Sequence, residues 1–256
     1  MVGGGQAQRQ DRAPSRQAGR ALAPPRAGSY TRPMQVAIVS DTICPWCYIG
    51  KRRFERAHAG RPADLAVEWR PFQLNPDMPA EGVDRQRYMV AKFGSEERVA
   101  EIFGMIEQAG EAEGIRFAFD RIARTPNTVD SHRLIAFAGE RGVQDEVVEA
   151  LFRRYFEQAE DIGDGAVLAR AGADGGLDED EVRRFLAGTG GVDEVRQESE
   201  AASRTGISGV PCFIFEGRYA VTGAQEPDIF ERVFELAASG NVGVGSEAAP
   251  SPPRAG

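Results

Sequence analysis

The stretch Gln35-Val-Ala-Ile-Val-Ser-Asp-Thr-Ile-Cys-Pro-Trp-Cys47 decides the fold. Residues 35–40 are a β-branched apolar run that reads as a buried strand. The run stops at Asp41. From Pro45 the apolar residues Trp46, Ile49, Phe54 and Ala57 fall roughly three to four apart, the spacing of one helical face. Proline suits the first helical position, where a missing N–H costs nothing. A strand feeding a short loop and then a helix opened by Cys44-Pro45-Trp46-Cys47 is therefore expected.

Outward from this unit, Gly60-Arg61-Pro62 stops the helix, and Leu65–Phe72 reads as a second strand. The intervening crossover is long enough for a βαβ unit. Asn75-Pro-Asp-Met-Pro79 then breaks the chain, and from about 84 to 205 helix follows helix. Apolar stripes run through Val99, Ile102, Phe103 and Ile106, through Val129, Leu134, Phe137 and Ala138, and through Val147, Val148, Leu151, Phe152 and Tyr155. Val182, Phe185 and Leu186 form a shorter stripe. Glycines or capping residues such as Thr128 and Asp178 bound these helices. Strand character returns at Cys212–Phe215, turns at Glu216-Gly217 and continues through Tyr219–Val221, before a last helix from about 227 to 236. The order predicts an α/β, thioredoxin-like fold, βαβ then ββα, with a large helical domain inserted between the halves. Its parts are 34–80, the insert 81–205, and 206–239.

The chain has 256 residues, with 31 basic against 39 acidic side chains and a formal charge of −8. Residues 1–33 hold six Arg and one Asp, which leaves −13 for residues 34–239. So acidic a body argues against nucleic acid as a partner, because phosphate binding needs a basic face. No run of about 18 apolar residues exists to span a membrane. Three cysteines cannot form a disulfide scaffold, and a chain of this length buries a core without one. The tails 1–33 and 240–256 lack hydrophobic periodicity and read as disordered. The first tail has no apolar stretch of the kind a secretory signal needs. It reads either as a transit-peptide-like segment or as residues upstream of a true start at Met34. The cytoplasm is the expected location.

A single C-x-x-C between a strand and a helix points to redox chemistry. Unpaired N–H groups and the helix dipole stabilise a thiolate on Cys44, and a thiolate is the attacking species in disulfide exchange. Cys47, one turn on, can attack the mixed disulfide and release the partner. Cys44 is thus expected as the exposed nucleophile and Cys47 as the buried resolving thiol. Zinc would need four ligands, and Cys212, His58 and His132 are scattered, so no metal is expected. Inert core thiols and a static disulfide fit the strand–loop–proline context, and a reducing cytosol, less well. Trp46 brings no positive charge, so the couple should be less oxidising than in a relative carrying His there. Lys51, Arg52, Arg53 and Arg56, further along, are expected to stay solvated and to complement the C-terminal end of the helix.

The second anchor is Gly209-Val210-Pro211 before the strand at Cys212. A trans proline is tolerated at a strand start. In this topology a cis-proline loop facing the cysteines is the better reading, with the Val210 N–H and C=O presented to an extended substrate and Pro211 blocking metal capture. Cys212 is expected to point into the sheet core, the alternative being a third thiol near the pair.

These motifs, together with Asp41–Gly50, Trp69-Arg-Pro-Phe-Gln-Leu-Asn-Pro76, Asn127-Thr128 followed by His132-Arg133, and Thr205-Gly206-Ile207, make the chain resemble the DsbA-like thioredoxin family. It looks closest to the FrnE-like, cytoplasmic subgroup. The resemblance implies dithiol–disulfide oxidoreductase or isomerase activity, with Cys44 as nucleophile, Cys47 as resolving thiol, Pro45, Trp46 and Val210 in support, and Pro211 as the cis residue. It places Asn127 and His132 on the helical domain beside the cleft, although His132 on its own reads as a packed helix histidine. It implies no bound cofactor beyond a redox-active Cys44–Cys47 disulfide, with glutathione or a thioredoxin-type partner as electron donor or acceptor. A homodimer is suggested only through the family. The chain departs from periplasmic members in lacking a signal peptide and in carrying Trp46 where they have His.

Three functions compete. The leading one is a thiol–disulfide oxidoreductase acting on protein, peptide or small-molecule thiols. The second is a glutathione-dependent isomerase similar to 2-hydroxychromene-2-carboxylate isomerases and kappa-class glutathione transferases, which typically carry Ser where Cys44 stands. The third is a binding or holdase protein that uses an apolar cleft.

Overall fold

Strand β1, Met34–Ser40, is apolar on both faces because both are covered. Met34, Val36 and Ile38 face the main core, and Val39 faces a smaller cluster with Phe72 and Cys212. A computed structural model describes residues 1, 32–61 and 64–239. The two tails expected to be disordered lie outside the described residues except at Met1, Arg32 and Pro33, and Arg32 pairs there with Glu216.

Helix α1, Pro45–His58, carries the chain from β1 to the parallel strand β2, Leu65–Pro71, with Ile38 opposite Trp69. On its other side β1 pairs antiparallel with β5, Cys212–Phe215, and β6, Tyr219–Thr222, completes the order β2-β1-β5-β6. Helix α9, Pro227–Ser239, packs beside α1, and Phe54 of α1 stacks on Phe213 with ring centroids 5.3 Å apart. This is the expected βαβ…ββα frame, with β1 one residue longer and α9 running on to Ser239.

Between the halves lie α2 (Arg85–Phe93), α3 (Glu96–Glu111), α4 (Val129–Gly139), α5 (Gln144–Phe152), α6 (Gly165–Asp174), α7 (Glu179–Ala187) and α8 (Val192–Arg204). Helix α5 continues into a π-helical turn, Arg153–Glu157. Its stripe Val147, Val148, Leu151, Phe152 and Tyr155 is at most 1% exposed, as the periodicity required. Helices α4, α5 and α8 pack against β2, joining the helical region to the sheet.

Three expectations need correction. Residues 84–205 are not all helical: β3 (Val83–Asp84) pairs with β4 (Arg124–Thr125), and pairings of two residues are too short to show alternation. Asp178 caps α7 as expected, but the Thr128 hydroxyl does not cap α4. Asn127 takes that role, its Oδ1 accepting from Val129 N–H at 2.9 Å. The basic cluster on α1 is a solvated face only in part: Arg56 is exposed in the last turn, as expected, but Lys51 and Arg53 are largely enclosed. Lys51 is 2% exposed and pairs with Glu55, with Asp145 at 2.9 Å and with Glu149 at 3.4 Å. Arg53 pairs with the buried Glu113. Helix α5 lies over this side of α1, and a one-helix reading cannot see that neighbour.

Candidate active site

The loop Asp41–Cys44 sits at the C-terminal edge of β1, and Cys44 is the N-cap of α1 with Pro45 at its first position. The Cys44 N–H donates to Asp41 O at 3.1 Å and Cys47 N–H to Cys44 O at 3.0 Å, closing a tight turn that leaves the second sulfur one turn behind the first. All three cysteines are free thiols. The Cys44 thiol donates to Val210 O at 3.6 Å, and the Val210–Pro211 bond is cis. Helix and loop approach closely here: a Cβ on Gly50 would lie 2.9 Å from Pro211 Cγ, so only glycine fits at that point of α1.

Cys44 is 5% exposed, not the open nucleophile expected, because the Val210 loop closes over it. Cys47 is fully buried, and desolvation, then the hydrogen bond with Cys44, pushes its thiol well above the usual range. Cys212 is 4% exposed in the smaller cluster with Val39 and Phe72, and burial raises its thiol as well. Trp46 is 39% exposed and Leu74 36%, the two large apolar side chains left open beside this loop.

Sequence reasoning gave Asp41 no role, yet it ties the site together. Its carboxylate is fully buried, accepting from Leu74 N–H at 2.7 Å and Ile43 N–H at 3.5 Å, with His132 Nε2 3.5 Å away. His132 Nε2 also lies 3.2 Å from Phe72 O. Both neighbours are acceptors, so this nitrogen carries the proton. The Ser131 hydroxyl donates to Thr128 O, so it is Thr42 that donates to Ser131, at 2.8 Å. Helix α4 thus holds the loop before the cysteines through Ser131 and His132. His132 is a packed histidine beneath the site, not a group opening into it. Asn127 stands further off, its Nδ2 donating to Met78 O at 2.6 Å. A charged residue ending an apolar strand was the available signal for Asp41, since such a position persists only when its carboxylate is hydrogen-bonded.

These thiols differ in what they can do. At neutral pH iodoacetamide is expected to label Cys44 of the native dithiol protein and to reach Cys47 and Cys212 only after unfolding. Peptide mass mapping reads this directly, and equal labelling of Cys47 would contradict the burial described. A thiol raised by burial contributes stability below its unfolded value of about 8.5 and loses it as pH climbs toward the folded value, so native protein should weaken in alkali.

Among the described residues no group of three or more His, Cys, Asp or Glu side chains is placed to hold a metal ion, and no helix is long and apolar enough to cross a membrane.

The DSBA-like thioredoxin domain model matches residues 35–235. The chain is similar to the crystal structure of a probable DsbA oxidoreductase from Streptomyces coelicolor, with a TM-score of 0.74 and 32% identity over 84% of this chain and 94% of that one. It is 28% identical to the uncharacterized protein YwbO of Bacillus subtilis over 205 residues, 78% of this chain and 94% of YwbO. The cytosolic disulfide reductase DsbM from Pseudomonas aeruginosa, solved with GSH, shares the fold at a TM-score of 0.56 and 18% identity, over 79% of this chain and 98% of DsbM. The strand–loop–helix that places two cysteines against a cis-proline loop therefore has a family: this chain belongs to the DSBA-like thioredoxin domain proteins.

Proposed function

We propose that this protein is a thiol–disulfide oxidoreductase in which Cys44 exchanges with a substrate disulfide and Cys47 completes the exchange. The observation that carries this is the Cys44 sulfur at the N-terminus of α1, 3.6 Å from Val210 O, with Cys47 one turn behind. A Cys44 thiolate attacks one sulfur of R–S–S–R′, forming Cys44–S–S–R and releasing R′–S⁻. Cys47 then gives up its proton, attacks the Cys44 sulfur and releases R–S⁻. The protein is left as the Cys44–Cys47 disulfide and the substrate has gained two electrons. The reverse sequence oxidises a dithiol.

Pro45 and Trp46 shape the tip of the helix, and the Val210–Pro211 segment is the backbone an extended substrate would meet. Exposed Trp46 and Leu74 suit a peptide or a small thiol with apolar parts. Glutathione, present in the DsbM structure, is a fitting electron donor or acceptor, as is a thioredoxin-type partner. We place the reaction in the cytoplasm, as in the FrnE-like subgroup.

The test compares disulfide reduction by the wild type, by Cys47→Ala and by the double variant Cys44→Ala/Cys47→Ala. Turnover should be lost in both variants. Full activity in the double variant would remove the redox reading and favour a binding protein. A glutathione-dependent isomerisation that survives Cys47→Ala would favour the isomerase instead.

A further inference from the structure

The Val210–Pro211 loop faces the cysteines from a different part of the chain, and something must hold it at its distance from α1. Arg53, on α1, is placed to do so. Its Nε–H donates at 2.9 Å to Glu113 Oε1, a carboxylate only 3% exposed in the turn after α3. Its Nη1 donates to Ala224 O at 2.7 Å and pairs with Glu226 at 2.8 Å. Ala224 lies in the loop between β6 and α9, and one residue earlier the Gly223 N–H donates to Pro211 O at 2.7 Å. The loop touches the helix as well: a Cβ on Gly50 would stand 3.5 Å from Ala224 Cα. A continuous path thus runs from Glu113 through Arg53 to Ala224, along the backbone to Gly223, and on to Pro211 beside the Val210 carbonyl that meets Cys44.

Glu113 does not need Arg53 for its charge, because Arg56 Nη1 already pairs with its Oε2 at 2.8 Å. What Arg53 alone supplies is the bond to Ala224 O, made from a planar fork whose nitrogens keep a fixed geometry. Resting on the redox reading, we infer that Arg53 is a positioning residue: anchored by Glu113, it holds the Ala224 carbonyl and so sets the Val210–Pro211 loop at the spacing an extended peptide disulfide requires. The edge that such a substrate meets is backbone, and main-chain pairing tolerates little displacement. A small disulfide that does not pair with Val210 has no use for the clamp. Arg53 therefore favours peptide disulfides over small ones.

Arg53→Gln isolates the contact. Glutamine Nε2 falls where arginine Nε stands, so the bond to Glu113 is kept while the reach to Ala224 O and Glu226 is lost. Arg56 still pairs with Glu113, so no buried charge is orphaned. With insulin as the peptide disulfide, KM should rise about fivefold or more with kcat within about twofold of wild type, the split that follows when a hydrogen bond supporting uniform binding is removed. With bis(2-hydroxyethyl) disulfide both constants should stay at wild-type values. Iodoacetamide should label Cys44 of the native dithiol protein about threefold faster, because the loop that closes over the sulfur opens more readily. Arg56→Gln and Glu226→Gln each break one ion pair of this cluster and leave the Ala224 bond intact, so both should match wild type in every reading. An unchanged KM for insulin in Arg53→Gln would overturn the assignment, as would an equal rise in either control variant. Failure of the redox reading looks different: the wild type would turn over neither disulfide. The labelling comparison then still decides on the clamp, and equal rates in Arg53→Gln and wild type would overturn it.

Discussion

Cys44→Ser is expected to reduce thiol–disulfide exchange by about a thousandfold or more while leaving the fold in place, the scale on which losing a nucleophile acts. Serine preserves the shape of the helix start. Its hydroxyl does not ionise near neutral pH, so the N-terminus of α1 has no anion to stabilise, and oxygen cannot form the mixed disulfide. The other two thiols cannot take over. Cys47 is fully enclosed with its thiol raised by burial, and Cys212 lies in a separate apolar cluster at the foot of β5. Insulin reduction with glutathione as the source of electrons gives the rate. A variant that kept more than a tenth of the wild-type turnover would place the nucleophile elsewhere. A variant that instead gained glutathione-dependent isomerisation would move the protein toward the isomerases that typically carry serine at this position.

Lys51→Met should cost about 3 kcal/mol of folding stability, less than the upper range for breaking a buried ion pair. Methionine fills the volume of the lysine stem but leaves Glu55, Asp145 and Glu149 facing one another without their central cation. Two features hold the loss down. Asp145 keeps half its side chain in water, at 51% exposure, and Arg52 remains paired to Glu55 and Glu149. Burial alone would pull the Lys51 ammonium down, but Asp145 and Glu55 outweigh it and hold it above its usual value. A raised lysine contributes fully below its unfolded value of about 10.4 and is lost only as pH rises through the folded one, so the difference between variant and wild type should be constant across neutral pH. In thermal unfolding this is a drop of about 6–12 °C for a domain of this size. A change under about 2 °C would mean that solvent screens the network far more than its burial implies.

The frame was legible because each of its elements follows a strong local rule. An apolar β-branched run, a proline at a helix start and the apolar stripe of α5 are each set by residues within a few positions of one another. The C-x-x-C and Val210-Pro211 were legible for the same reason, and the topology alone brings them together. What escaped depends on partners far along the chain. Asp41 could be seen ending a strand, but Leu74 and His132, which make its burial tolerable, are separated from it by 33 and 91 residues. Lys51 reads as a surface residue until α5 is laid beside α1. The near-closure of Cys44 belongs to the Val210 loop, not to the helix that carries the cysteine. The β3–β4 pairing is too short for any periodicity to announce.

Equilibration of the wild-type protein in glutathione redox buffers, followed by acid quenching and peptide mapping, asks most directly whether the two sulfurs at the head of α1 work as one couple. The expected result is a single, reversible Cys44–Cys47 disulfide that titrates as a two-electron transition, with Cys212 remaining a free thiol throughout. A pair that stayed dithiol at every buffer ratio, or that oxidised only by joining Cys44 to Cys212, would contradict it.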